Sequence, residues 1–254
     1  MFFKLATFAA AIGLASAAPT DKAPAALQRR GFDCSAPVNG LSQEDCQHMS
    51  NIGMAGQGKN DFGNNGNIWI GEDGPSTFTF TNDATNPSPV PVTIIVWYNA
   101  PYDYQSSFMN VRTPMVSYSL PNIGDKVTIS LADGVSGGFA ALNNHATTLS
   151  QYGQIFNTWG EFTSGQFGTL DISREVNMGG NIISARTAGG CLTDMETCVF
   201  KCKNGNTCGE SQTYDLVNCE NGSQPGATIG FYDNNPSGGC QAWNGHIDIS
   251  LGRY

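Results

Sequence analysis

The chain has 254 residues, of which 40% are hydrophobic and only 13% charged, with 31 glycines, 12 prolines and eight cysteines. So much apolar mass excludes a disordered chain, which stays unfolded because it cannot offset its ordering entropy by burial. The abundance of Gly, Asn, Ser and Thr, broken by Pro, excludes coiled coils and helical repeats, which need heptads rich in Ala, Glu, Lys and Leu. An all-β chain with many turns remains.

At the N-terminus Lys4 precedes an apolar run over residues 5–14, followed by Ala15-Ser16-Ala17. The run is too short to span a bilayer and the small residues match a signal-peptidase site, so residues 1–17 read as a secretory signal. Residues 18–30 are rich in Pro and Ala and end in Arg29-Arg30, which reads as a pro-segment with a dibasic processing site. The mature chain is then expected to begin at Gly31. It carries eight basic and 20 acidic residues, a balance of −12. Such a surface argues against nucleic acid and anionic membranes, both of which are recruited by Lys and Arg. No second apolar stretch approaches the roughly 18 residues of a membrane span, so a soluble, extracellular product without membrane insertion is expected.

Residues 31–66 read as an N-terminal extension with one short helix, capped by Ser42, with Asp45 three residues on and Cys46, His48 and Met49 before Gly53. From residue 67 the pattern changes to strands, at 67–70, 76–81, 92–98, 116–120 and 126–131. Phe78 and Phe80 alternate with threonines, as a half-buried strand requires. The run at 92–98 is apolar on both faces and reads as the central strand. Further strands are expected at 138–142, 154–163, 168–173, 181–185, 227–232 and 246–251. Short strands at this spacing, separated by Gly, Asn and Pro, indicate a sandwich or barrel occupying residues 67–254.

All eight cysteines lie in the mature chain, and an even number in an exported protein implies disulfides. Their pairing stays open at this point. Cys198-x3-Cys202 followed by Cys202-x5-Cys208 has neither zinc spacing nor a nearby histidine, so no metal and no cofactor is expected. Six of the eight crowd into residues 191–240, which therefore read as stapled loop beside a middle that stands on β packing. Hydrolase chemistry with a serine or cysteine nucleophile needs a base, and His48, His145 and His246 fall in a helix, a loop and a terminal strand. The acid pairs Glu44-Asp45 and Glu72-Asp73 read as solvated charge. Tyr102 and Tyr104 follow a strand in a Pro-containing loop, where tyrosines favour recognition, and they are candidate binding residues. Asn221-Gly-Ser223 is a glycosylation acceptor.

The order of residues also carries a resemblance. Trp159-Gly-Glu-Phe-Thr163, then Thr169-Leu-Asp-Ile-Ser173 and an Asn-containing turn from Asn177, resembles a segment of thaumatin-like proteins. Downstream, Cys202-Lys-Asn-Gly-Asn-Thr-Cys208-Gly, Tyr214, Cys219 and Cys240 follow that family's cysteine scheme. The whole chain is similar to secreted fungal thaumatin-like proteins of the effector or elicitor kind. The resemblance implies a flattened β-sandwich with a small disulfide-rich loop region, and the pairs Cys202–Cys208, Cys198–Cys219 and Cys191–Cys240, leaving Cys34–Cys46.

It also implies an acidic cleft for β-1,3-glucan. Glycoside hydrolysis needs two carboxyl groups across the scissile bond, and by motif position these are Glu161 and Asp171. Glu175 is a displaced substitute for a third cleft acid, whose motif is Val176-Asn177 here, and Glu220 after Cys219 is a fourth. The strand that carries an arginine in the family corresponds to Gly138-Phe-Ala-Ala-Leu142, which has none. With these departures, binding is expected rather than hydrolysis. The expected protein is a monomeric effector or elicitor in the host apoplast or at the cell wall, engaging wall β-glucan or a host defence protein. A weak endo-β-1,3-glucanase using Glu161 and Asp171 is the alternative, and a structural wall protein the third reading.

Overall fold

A computed structural model describes residues 31–84, 90–101, 103, 105–220, 224–241 and 245–252. The signal and pro-segment readings, Tyr102, Tyr104 and the acceptor Asn221 fall outside the described residues. The described chain is nearly all β and disulfide-rich. Its one α-helix, α1 (Gln43–Asn51), starts where the sequence places it: the Ser42 side chain accepts from the Asp45 backbone N–H, satisfying a donor that the first helical turn leaves without a partner.

Fifteen strands follow: β1 (Ile68–Ile70), β2 (Ser76–Asn82), β3 (Val92–Tyr98), β4 (Val116–Leu120), β5 (Lys126–Leu131), β6 (Ser136–Asn143), β7 (Trp159–Thr163), β8 (Thr169–Ser173), β9 (Ile183–Thr187), β10 (Leu192–Thr193), β11 (Val199–Cys202), β12 (Tyr214–Val217), β13 (Ala227–Tyr232), β14 (Asn235–Gln241) and β15 (His246–Leu251). The smaller sheet runs β1-β5-β2-β15-β9-β10, antiparallel except where β15 pairs parallel with β2. The larger runs β12-β11-β8-β7-β6-β3-β4, antiparallel except between β8 and β11.

The alternation of β2 puts Phe78 and Phe80 inward, between the sheets, where they meet Phe139 and Phe162 of the larger sheet edge-on at centroid distances of 5.0–6.1 Å. Edge-to-face rings at such distances add to the burial energy of the side chains. β3 is buried on both faces, as its unbroken apolar run requires, but it lies next to the edge strand β4 instead of at the centre of its sheet. Its inner residues Ile94 and Val96 join the inter-sheet core. Ile95 and Trp97 point outward into a second core under residues 31–54, with Cys46, Met49, Ala140, Leu142 and Trp159. Trp97 and Trp159 pack there with ring centroids 4.9 Å apart.

Two readings change. The strand expected at 154–163 begins only at Trp159, because Asn157 is recruited into buried hydrogen bonds. Its side-chain amide donates to the Ala141 carbonyl, while its side-chain oxygen accepts the N–H groups of Thr158 and Asn181. The region 191–240, read as stapled loop apart from a strand at 227–232, carries that strand as β13 and four more, β10, β11, β12 and β14, which extend both sheets. The disulfides are Cys34–Cys46, Cys191–Cys240, Cys198–Cys219 and Cys202–Cys208, the partners that the resemblance implies. Two of them, Cys191–Cys240 and Cys198–Cys219, build a small third core with Phe200, Leu216 and Ala227.

The larger sheet forks at β8. Ile172 and Ser173 pair with β11, whereas Thr169 and Leu170 pair with β14, whose hairpin partner is β13. Asp171 sits at the branch point. Gly238 and Gly239 in β14 hold φ of 144° and 134°, and a Cβ at Gly239 would stand 2.6 Å from the Leu170 carbonyl oxygen, so the approach of this hairpin to β8 requires glycine.

Candidate acidic groove on the larger sheet

The fork leaves a groove of about 430 Å³ on the outer face of β7 and β8, bordered by β12 and by the β13–β14 hairpin. Glu161 and Asp171 are direct partners across these two antiparallel strands, so both carboxyl groups rise from the same face. The residue paired with Glu161 on its other side is Gly138, where a Cβ would stand 2.4 Å from the Trp97 ring. The tryptophan thus excludes a cationic side chain from that row. Glu175, just past the end of β8, joins the same groove. Its carbonyl accepts from the Cys208 N–H at 2.8 Å, which ties the Cys202–Cys208 loop to the acid's own backbone.

The three acids stand in a low-dielectric, uncompensated setting. Burial pushes the Glu161 carboxyl up to about 7. Asp171 is raised well above the usual carboxylate range by burial, then by the charges of Glu161 and Glu175. Burial and then the Glu161 charge raise Glu175 likewise, against a lowering hydrogen bond from Ser173. Burial, reinforced by the same three carboxyl groups, lifts the Tyr214 hydroxyl to about 12. These shifts share one direction because desolvation and like charge both disfavour the ionised acid. Asp171 is only 6% exposed, and its Oδ1 has no hydrogen-bond donor.

The rim is aromatic. Phe167 and Phe231 are 74% and 76% exposed and Tyr232 is 48% exposed, and all three border the groove. Phe231 and Tyr232 are held at the tip of the β13–β14 hairpin by the two-residue turn Asp233-Asn234, with φ of 48° and 61°, the left-handed conformation such hairpin turns prefer. The signal for this rim in the sequence is the Phe-Tyr pair that ends the strand expected at 227–232, directly before the Asp-Asn-Asn run. Comparison with known families and proteins adds no constraint. No protein-family model matches the chain, and no curated protein matches it.

Of the acids expected in a cleft, the structure brings Glu161, Asp171 and Glu175 together. Glu220 is exposed and does not line the groove. The histidines also lie outside the groove. His145 Nε2 meets Asp45 Oδ1 at 2.7 Å, with the His48 ring 5.6 Å from that of His145 and the Ser119 hydroxyl donating to the other oxygen of Asp45. Ser119 bonds the carboxylate and not an imidazole, so it forms no nucleophile–base pair with His48 or His145. Asp45, read as solvated charge, is buried and fastens α1 to the larger sheet. Among the described residues no three His, Cys, Asp or Glu side chains are grouped as a metal site. No helix among them is long and apolar enough to cross a membrane.

Proposed function

We propose that the protein is a secreted binding protein of the effector or elicitor kind, acting in the host apoplast or at the cell wall, and that its acidic groove holds a segment of wall β-glucan. The observation that carries this reading is the groove itself, a concave channel with three carboxyl groups on its floor and three exposed aromatic rings on its rim. Concave sites with a few convergent polar groups and apolar walls are where chain-like and small ligands bind. Exposed rings offer rigid area to the apolar faces of sugars, and carboxyl groups accept from sugar hydroxyls. Four disulfides agree with export. A host defence protein is the other partner class of this reading, and the concavity of the site favours the single chain over the broad patch of a protein interface.

Slow endo-β-1,3-glucanase activity is the second reading, and one observation favours it: a Glu161 carboxyl raised to about 7 retains the proton that a general acid must donate. Its partner carboxylate has to be ionised, whereas Asp171 is raised by burial and by Glu161 together. That asymmetry is missing, so binding is preferred. The test is to titrate the processed chain, residues 31–254, with a soluble β-1,3-glucan while following release of reducing ends beside Glu161→Ala. Saturable binding that Phe231→Ala weakens about tenfold, with no release above the Glu161→Ala level, is the expected result. Sugar release that disappears in Glu161→Ala makes the protein a hydrolase, and absence of binding removes the groove from its function.

A further inference from the structure

The groove floor holds three acids, and no cation among the described residues faces them. Among the described residues that line it there is no Lys, Arg or His. Arg174, next to Glu175 in sequence, turns away to the carbonyls of Met195 and Met178 and to Glu196. The row that contains Glu161 and Asp171 ends at Gly138, where Trp97 occupies the space of a side chain. Buried carboxylates in folded proteins are paired or fully hydrogen-bonded, because an ionised group taken out of water unpaired is costly. Asp171, nine-tenths buried with one oxygen lacking any donor, departs from that rule at the branch point of the sheet. The missing donor and the missing positive charge are complementary to one kind of ligand.

We propose that the groove selects a wall polysaccharide whose sugars carry protonated amines, a glucosamine polymer, over a neutral glucan. The inference rests on the reading that the groove holds a polysaccharide. An ammonium group brings three donors and one charge to the facing Glu161 and Asp171, while the sugar rings lie along Phe231, Tyr232 and Phe167. A basic peptide offers the same charge without the flat rings that match the rim. Uptake of the cation favours ionised carboxyl groups, so binding near pH 6 releases a proton from Glu161. Tyr214, whose hydroxyl burial and the same acids push up to about 12, keeps its proton throughout, and the other titratable group that borders the groove is Tyr232 on the rim.

The experiment is calorimetric titration of the processed protein at about pH 6 with glucosamine, N-acetylglucosamine and β-1,3-glucose oligomers of equal length, in two buffers of different ionisation enthalpy. The glucosamine oligomer is expected to bind about 10–100-fold more tightly than either neutral oligomer, the range charge-assisted hydrogen bonds supply, with proton release seen for it alone. Asp171→Asn and Glu161→Gln should each reduce that preference at least about tenfold, because each amide keeps an acceptor for sugar hydroxyls but removes the charge. Equal affinity for the three oligomers overturns the inference and leaves the polysaccharide reading standing. Binding of none of them overturns both. Displacement of the glucosamine oligomer by oligolysine at equal concentration overturns the choice of a sugar.

Discussion

The outer face of the larger sheet is two surfaces in one. On one half, Ile95, Trp97, Ala140, Leu142 and Trp159 are sealed beneath α1 and the residues around it. Two residues along β7 from Trp159, on the same side of the same strand, Glu161 stands in an open groove. The strand alternates identically through both, so the difference is imposed by what the rest of the chain lays over it. The first half is covered by a segment closed by Cys34–Cys46 and fastened through Asp45 to Ser119 and His145. The second is bordered by a hairpin that Cys191–Cys240 anchors beside the face and not across it. A side chain's role as core or site is decided by its cover.

The strongest way to break this comparison is Trp159→Ala. If the sealed half is true core, the loss should be about 3–5 kcal/mol in denaturant unfolding, as for other large-to-small changes at buried aromatic positions. A surface-like loss of under about 0.5 kcal/mol would mean that α1 rests on the sheet without packing into it. Next comes removal of Cys191–Cys240 by a double Cys→Ser exchange, expected to cost about 2–4 kcal/mol. Hydrogen exchange should accelerate over 224–241 and leave α1 protected. Uniform acceleration would show that the hairpin and the sealed half unfold as one unit.

The smallest effects sharpen the comparison through pH, because the two halves respond with opposite sign. Glu161 is raised to about 7 in the folded protein, so the penalty for ionising it is absent below the ordinary carboxylate range and fully present above about pH 7. Glu161→Gln should therefore raise stability by about 2 kcal/mol at pH 8 and leave it unchanged at pH 4. Asp45 behaves in the reverse sense. Burial alone raises its carboxyl, but hydrogen bonds from Ser119 and His145 outweigh burial and leave it lowered. Its contribution is present above the ordinary aspartate range and lost as pH falls through its folded value, so Asp45→Asn should cost about 1 kcal/mol at pH 7 and nothing at about pH 2. Melting curves of both variants across this range check the two signs, and parallel curves would show that the halves are electrostatically alike.

Much of the framework was legible in residue order. The Ser42 cap, the Phe-Thr alternation of β2 and the unbroken apolar run of β3 are local patterns, and local patterns survive into the fold. β14, with the sequence Asn-Pro-Ser-Gly-Gly-Cys-Gln, has no hydrophobic period and was not legible as a strand. It exists because β13 and β8 supply its hydrogen bonds and Cys191 holds its end. The candidate site divides in the same way. Glu161 and Asp171 were picked out by motif position, whereas Phe167, Phe231 and Tyr232 were not, since their exposure depends on where the hairpin stands.

The sequence by itself determined the all-β class, the number of cysteines available for pairing, the acidic balance and the identity of the acids. These are set by composition and by periods a few residues long. Only the tertiary structure decided that three of those acids share a floor, that Trp97 excludes a cation from their row, that Asp45 is buried under a helix end, and that Glu220 lies elsewhere. Each of these depends on strand register and on desolvation by neighbours distant in the chain, and neither is set by the residues on either side.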